Sequence, residues 1–301
     1  MNAAVPHITV CICTYKRPEL LERALRGIAS QATDGAFEFS IVVVDNDAAR
    51  SARATVDDFS ASSAVPAVYC VEPEQNIALA RNRALAQATG DFVAFIDDDE
   101  VPAKQWLAKL LEACLKYSVA GALGPVLPYF EDKPPAWVLK GKFFDRPTHK
   151  TGHIIPWSEG RTGNLLIKRD ILQGIVEPFK PEYGSGGEDR DFFRRMIDAG
   201  HSFVWCDEAP AHELVPPVRW RRSFMLRRAL LRGKMALNHC RSFGEIGKSI
   251  AAVAGYSLLL PVMLLFGHHV FMLYLIRTCD HAGKLLAAVG INPVSEKYVV
   301  N

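Results

Sequence analysis

The sequence predicts an α/β protein with a Rossmann-like, mostly parallel central sheet and flanking helices. A basic amphipathic helix and apolar membrane-associated helices follow it. Three features point there. Short runs rich in Val, Ile and Phe alternate with segments of helical spacing, the rhythm of strand–helix–strand units joined by right-handed crossovers. The run 92–96 is apolar at every residue and stops on Asp97-Asp98-Asp99-Glu100. A strand buried on both faces behaves so on reaching the ligand edge of a parallel sheet. Finally, residues 249–276 contain no Asp, Glu, Lys or Arg.

Taken in order, residues 8–13 read as the first strand, and Thr14-Tyr15-Lys16-Arg17 follows it. Pro18 suits the first turn of a helix that carries Leu20, Leu21, Ala24, Leu25 and Ile28 on one side. A β-branched second strand over 39–44 ends on Asp45-Asn46-Asp47, and a polar, Ala- and Ser-rich segment leads to a third strand at 68–71. Glu72 to Asn76 form a loop, 77–88 have helical spacing, and a further helix spans 103–117. Residues 128–160 mix prolines with Trp137, Phe143, Phe144 and Trp157, the make-up of a binding loop or lid. A short strand at 162–167, the flexible Gly184-Ser185-Gly186-Gly187, a helix over 188–197 and a strand at 203–206 complete this part.

From Arg219 the chemistry changes. Arg219, Arg221, Arg222, Arg227, Arg228, Arg232 and Lys234 fall in one predicted helix without an acidic residue. Trp220, Phe224, Leu231 and Met235 share a narrow apolar arc, the pattern of a helix lying on an anionic membrane surface. As one helix, the 28 charge-free residues 249–276 would measure about 42 Å, longer than a bilayer core of about 30 Å. Pro261 and Gly267-His268-His269 interrupt them, so a bent, re-entrant or hairpin arrangement is expected. Basic residues at both ends favour the cytoplasmic side for both. The rival is a helical pair that closes the soluble domain. The expected division is 1–215 for the α/β domain, 216–248 for the basic interfacial helix and 249–301 for the apolar tail.

Composition narrows the class. With 301 residues, 49% hydrophobic and 23% charged, the chain is globular, and a net charge of +2 gives no global case for nucleic acid. The 7 cysteines, Cys11, Cys13, Cys70, Cys114, Cys206, Cys240 and Cys279, form no CxxC pair, which suits reduced structural thiols in a cytosolic compartment. No basic, then apolar, leader precedes the first strand, so no secretory signal is expected.

The polar points Thr14 to Arg17, Asp45, Asp97 to Asp99 and Glu188-Asp189 all fall at predicted strand ends or helix starts of one sheet. Adjacent carboxylates at a buried strand end repel unless a cation offsets them, and Mg²⁺ or Mn²⁺ favours such oxygens together with a substrate diphosphate. For a nucleotide, Tyr15 offers a ring to stack on a base, Asp45 an acceptor for uracil or ribose, and Arg81 a cation. Asp97 and Asp99 offer oxygens to ribose and metal. Plainer readings stand beside these: the Asp run as a polar turn that caps the next helix, and Asp189 as a carboxylate favoured by a helix dipole. No GxGxxG follows the first strand and no GxxxxGK[ST] occurs, which disfavours dinucleotide dehydrogenases and P-loop enzymes.

Five motifs stand in order: Cys13-Thr14-Tyr15-Lys16-Arg17, Val44-Asp45-Asn46, Asn76 through Ala80-Arg81-Asn82, Phe95-Ile96-Asp97-Asp98-Asp99 and Gly187-Glu188-Asp189. Together they resemble the motif set of family 2 glycosyltransferases over about residues 7–215. The longer pattern Thr151-Gly152-His153, Pro156-Trp157 and Gly160-Arg161-Thr162-Gly163-Asn164 is similar to exopolysaccharide glucosyltransferases of the succinoglycan-building, ExoM-like type. So is the tail Phe266-Gly267-His268-His269 with Cys279-Asp280-His281.

The resemblance implies a GT-A fold, a UDP-sugar donor, Mn²⁺ or Mg²⁺, and inversion at the anomeric carbon. The expected acceptor is a saccharide on a polyprenyl diphosphate, met at the cytoplasmic face of a bacterial inner membrane among its lipids, which would account for a basic helix and apolar tail beside a soluble site. Carried over, Asp189 matches the catalytic base, and Glu188 and Arg190 are candidates to orient it. Asp97 and Asp99 match the DxD metal pair, with His212 as a further ligand or, equally, a surface histidine. Thr14, Tyr15, Arg17, Asp45, Asn76, Arg81, Asp97 and Asp98 form the expected donor site, and Asn164 and Trp157 are candidate sugar contacts. Two alternatives stay open here: a retaining GT-A enzyme, separable by the product's anomeric configuration, and a membrane-bound assembly subunit without turnover, against which the intact carboxylates speak.

Overall fold

The computed structural model describes residues 5–184, 186–239, 243–292 and 294; Ser185 and Cys240 lie outside them. Internal contacts divide the chain into two compact units, Met1–Pro128 with Arg146–Leu214, and Tyr129–Asp145 with Val215–Asn301.

The first unit begins with β1 (His7–Thr14), α1 (Pro18–Ala29), β2 (Glu38–Asp45), α2 (Arg53–Ser62), β3 (Ala67–Val71), α3 (Ile77–Gln87) and β4 (Phe92–Phe95). Pro18 opens α1, where its missing N–H costs nothing, and the Asn76 side chain accepts from Ala78 N and Leu79 N to cap α3. The segment before β3 contains α2, where sequence polarity gives no helical stripe. Only Val56 and Phe59 anchor it in the core. Next come β5 (Glu100–Pro102), α4 (Trp106–Lys116), β6 (Gly121–Leu123) and β7 (Val126–Tyr129), then, after α5 (Ala136–Gly141) of the second unit, β8 (Leu165–Lys168), α6 (Glu188–Asp198), β9 (Phe203–Trp205) and β10 (Ala211–Leu214).

The main sheet has strand order β3-β2-β1-β4-β8-β6-β9, and a small sheet has order β5-β10-β7. Within the main sheet β8 runs antiparallel to both of its neighbours, and the other pairs are parallel. Alternate residues feed separate cores. Ile8, Val10, Ile12, Ala94 and Ile96 pack with α1, α2 and α4, while Cys11, Val42, Val93 and Phe95 pack with α3 and α6. Each large side chain so buried contributes about 1.5–3 kcal/mol. Register does the positioning: Thr14 pairs with Asp45, and Cys11 is the partner of Phe95, the last residue of β4. The acid run therefore leaves the sheet beside the last turns of β1.

In the second unit, residues 129–145 gather around Val138, Val215 and Trp220, with Phe130, Trp137 and Phe144 packed alongside. Three helices follow, α7 (Arg222–His239), α8 (Phe243–Leu265) and α9 (His268–Ala288). The prolines at 216 and 217 delay the basic helix, so Arg219 sits on a short 3-10 turn and is buried rather than displayed. Of the expected lipid-facing arc, Trp220, Phe224 and Leu231 are buried and Met235 is half-buried. α7 lies close to α9, since a Cβ on Gly233 would come 1.9 Å from Asp280 O and one on Gly283 would come 2.2 Å from Leu230 O. Arg232 pairs with Asp280 at 3.0 Å.

α8 runs through Pro261 without a break, and Gly267, at φ +112°, turns the chain into α9 as a hairpin. Among the described residues, Gly244–Leu265 is the one helix long and apolar enough to cross a membrane. Leu258 and Leu265 on it are 80% and 85% exposed.

Candidate active site

The register of β1 against β4 brings the acid run to Thr14 and Arg17. The Thr14 hydroxyl donates to Asp98 Oδ2 at 2.7 Å, and Arg17 Nη1 lies 3.2 Å from Asp98 Oδ1 and 3.5 Å from Asp99 Oδ2. Asp98 is thus turned into the protein, with both oxygens engaged by the chain. Burial, and then the crowding of Asp99, outweigh Arg17 and push its carboxyl up to about 7. Asp97 turns the other way. Its side chain is 45% exposed, and Arg81 Nη2 lies 3.7 Å from Oδ1.

Arg81 also donates to Glu188, the first residue of α6. Gly186 and Gly187, at φ +129° and +100°, make the turn that starts this helix, in a region L side chains rarely adopt. Glu188 therefore points inward against Arg81, and burial raises its carboxyl despite that partner. Asp189 is half-buried and accepts from Arg190 N at 2.7 Å. Its charge is among those that act on Arg81 and Arg161.

A further ion cluster adjoins. Glu100 is fully buried, its Oε1 has no hydrogen-bond partner, and Arg146 Nη1 lies 3.8 Å away. Burial, with Asp97 next, holds this carboxyl well above the usual range. Arg146 also binds Glu213 on β10. The adjacent acids coexist because three guanidinium groups share them: Asp98 and Asp99 lie against Arg17, Asp97 against Arg81 and Glu100 against Arg146.

Other expected site residues have different surroundings. Asp45 is buried and accepts from Ala52 N at 2.7 Å, Asp47 N at 3.1 Å and the Tyr69 hydroxyl at 2.9 Å. Asn76 caps α3 and donates to Pro181 O at 3.0 Å. Tyr15 is half-buried, with Lys16 Nζ 5.1 Å from its ring centre. Asn164 is no sugar contact in this arrangement. It is fully buried at φ +62°, accepts from Trp106 Nε1 at 2.7 Å and donates to Pro125 O and Ala209 O. Trp157 is exposed beneath the Arg194 guanidinium. His212 is exposed on β10, and the alternation of a strand turns it away from the face where its neighbour Glu213 meets Arg146. It does not join the acids. Arg146 and Arg161 escape periodicity because both sit in irregular chain, although Arg161 stands inside a quoted motif. Cys11 and Cys13 are free thiols whose pKa burial raises, inert core groups as expected.

Among the described residues, no group of three or more His, Cys, Asp or Glu side chains is preassembled around a metal position. A hard cation would find Asp97 open to the cleft, whereas Asp99 is buried with Arg17 Nη1 3.5 Å away; carboxylate oxygens are the donors such ions take, and they complete their shell with substrate oxygens and water.

The chain belongs to glycosyl transferase family 2, whose model matches residues 9–173. It is a glycosyltransferase of GT-A fold. It is similar to the succinoglycan biosynthesis protein ExoM of Rhizobium meliloti, 38% identical over 232 residues that make up 76% of this chain and 73% of that protein. A glucosyl-dolichyl phosphate glucuronosyltransferase of Haloferax volcanii is 28% identical over 67% of this chain and 61% of its own length. Among solved structures, the mannosyltransferase PcManGT from Pyrobaculum calidifontis, in complex with GDP-Man and Mn²⁺, superposes with a TM-score of 0.64 at 19% identity. The match covers 94% of this chain and 86% of that one. S. aureus TarS 1-349 in complex with UDP gives 0.53 at 16% identity, covering 94% and 90%. These structural likenesses are likenesses of fold.

Proposed function

We propose that the chain transfers a hexose, glucose foremost, from a UDP-sugar to a saccharide carried on a polyprenyl diphosphate, with inversion at the anomeric carbon. The observation that carries the reading is Arg81, which lies against Asp97 beyond β4 and Glu188 at the start of α6. That contact ties the acid run and the carboxylate next to Glu188 to one cleft. The neighbours solved with UDP and with GDP-Man and Mn²⁺ support a nucleotide-sugar donor, and the likeness to ExoM supports a place in exopolysaccharide synthesis.

In this reading the nucleotide lies over the ends of β1 and β2, near Tyr15 and Arg17. Asp97 and Asp99 would hold Mg²⁺ or Mn²⁺, which when bound supplies positive charge against the leaving diphosphate. Asp189 accepts the proton of the acceptor hydroxyl as its oxygen bonds to the anomeric carbon and the bond to UDP breaks. Glu188, held by Arg81, fixes the first turn of α6 and with it the direction of Asp189. The exposed apolar side of α8 and the arginines of α7 support residence at the cytoplasmic face of an inner membrane. Asp189→Asn is expected to bind UDP and Mn²⁺ as the parent does and to lose transfer by about 10²–10⁴-fold. Full transfer by that variant would remove Asp189 as the base, and NMR of the product's anomeric configuration tests inversion.

A further inference from the structure

Arg17, Arg81 and Arg146 each lie against a carboxylate. Arg161 does not: among the described residues its side chain makes no hydrogen bond and no ion pair. It is half-buried and lines a pocket with Arg146, Leu123, Gly163, Trp205 and one carboxylate, Glu159, which is engaged by His149 Nε2 at 2.6 Å. Burial first, then the charge of Arg146, hold its pKa below the usual arginine range, and Asp189 and Glu159 only partly oppose them. An unneutralised guanidinium in a pocket is a ready fork for the paired oxygens of a carboxylate or phosphate.

The sheet order says which substrate would bring that anion. The expected nucleotide residues sit at the ends of β1 and β2, on one side of β4. The pocket is built from β6, β9 and the chain entering β8, on the other side. Gly163 joins it to the cleft, since a Cβ there would stand 2.9 Å from Asp97 Oδ2. Asp189, the group that meets the acceptor hydroxyl, is among the charges that act on Arg161.

We propose that Arg161, with Arg146 beside it, is an anion-binding subsite for the acceptor, taking an oxyanion carried on the acceptor sugar or on its lipid diphosphate. The inference rests on the glycosyltransferase reading above. Arg161 grips the anion and sets which acceptor hydroxyl faces Asp189, so it governs acceptor choice and leaves donor binding alone.

The test titrates the full chain, in detergent with UDP and Mn²⁺ present, by calorimetry. The probes are methyl β-glucuronide, farnesyl diphosphate and the neutral methyl β-glucoside. At least one anionic probe is expected to bind about tenfold or more tighter than the glucoside, the worth of a charge-assisted contact. Arg161→Gln should erase that advantage and Arg161→Lys restore part of it, with UDP affinity unchanged in both. A response to the glucuronide marks a sugar carboxylate as the source, and a response to farnesyl diphosphate marks the lipid end. The proposal is overturned if neither anion outbinds the glucoside, or if Arg161→Gln weakens UDP as much as the anion, which would give the pocket to the donor. Should Arg161→Gln unfold, Arg161→Lys carries the same comparison. Failure of the parent chain to bind UDP would take down the underlying reading as well, whereas UDP binding without anion preference removes the subsite alone.

Discussion

Arg81→Met is the sharpest perturbation the site offers. The Arg81 and Glu188 side chains are 10% and 6% exposed and hydrogen-bonded to each other. Removing the guanidinium leaves a buried carboxylate whose proton affinity burial already raises. Breaking a buried pair from one side costs about 3–5 kcal/mol. The second partner, Asp97, is 3.7 Å away and 45% exposed, so solvent screens its share to about 1 kcal/mol or less. At about 2–4 °C per kcal/mol for a domain of this size, the melting temperature should fall by about 6–20 °C. Glu188 can escape part of the cost by binding a proton, so the loss should be smaller at pH 6 than at pH 8. Thermal unfolding of the parent, Arg81→Met, Glu188→Gln and the double variant closes a double-mutant cycle with a coupling of about 1–3 kcal/mol. Strict additivity, or a melting temperature within about 2 °C of the parent, would refute the claim that this pair locks the start of α6 to the acid run.

Three further outcomes are expected. In Gly163→Ala the new Cβ would stand 2.9 Å from both Asp97 Oδ2 and Glu100 Oε1, so both carboxylates must shift. Transfer should drop by about 10²-fold, and unchanged turnover would show that the position of Asp97 is not critical. His212→Ala should leave Mn²⁺ affinity and transfer close to those of the parent; a loss of about tenfold or more in Mn²⁺ titrations would restore it as a ligand. The ligand-free protein should lose stability as pH rises. Asp98 sits at about 7, above its unfolded value, and Glu188 is raised as well, so both favour folding most below about pH 4 and lose that contribution as pH climbs towards 7. The slope is at most about 1.4 kcal/mol per pH unit for each group. Melting curves from pH 4.5 to 8 check its sign, and UDP with Mn²⁺ should flatten it.

Much of this was written into local sequence. Two-residue and helical periods, Pro18 opening α1, the apolar run that ends on Asp97, and Gly187 before Glu188 are short-range signals, and each marks an element or an edge where it occurs. The five motifs in their order were enough to indicate the family. Side-chain partnership is another matter, because it depends on strand order and register. Thr14 meets Asp98 across 84 residues, and Arg81 meets Glu188 across 107. Only the folded sheet turned Asp98 inward and left Asp97 open, enclosed Asn164 among Trp106, Pro125 and Ala209, and set His212 on the far side of β10. The same holds for α7, whose apolar arc reads identically in sequence whether lipid or protein covers it; only the fold shows Phe224 and Leu231 buried, while the close approach to α9 through Gly233 falls on the other side of the helix. Periodicity records that a face is buried, and tertiary contacts alone determine what buries it.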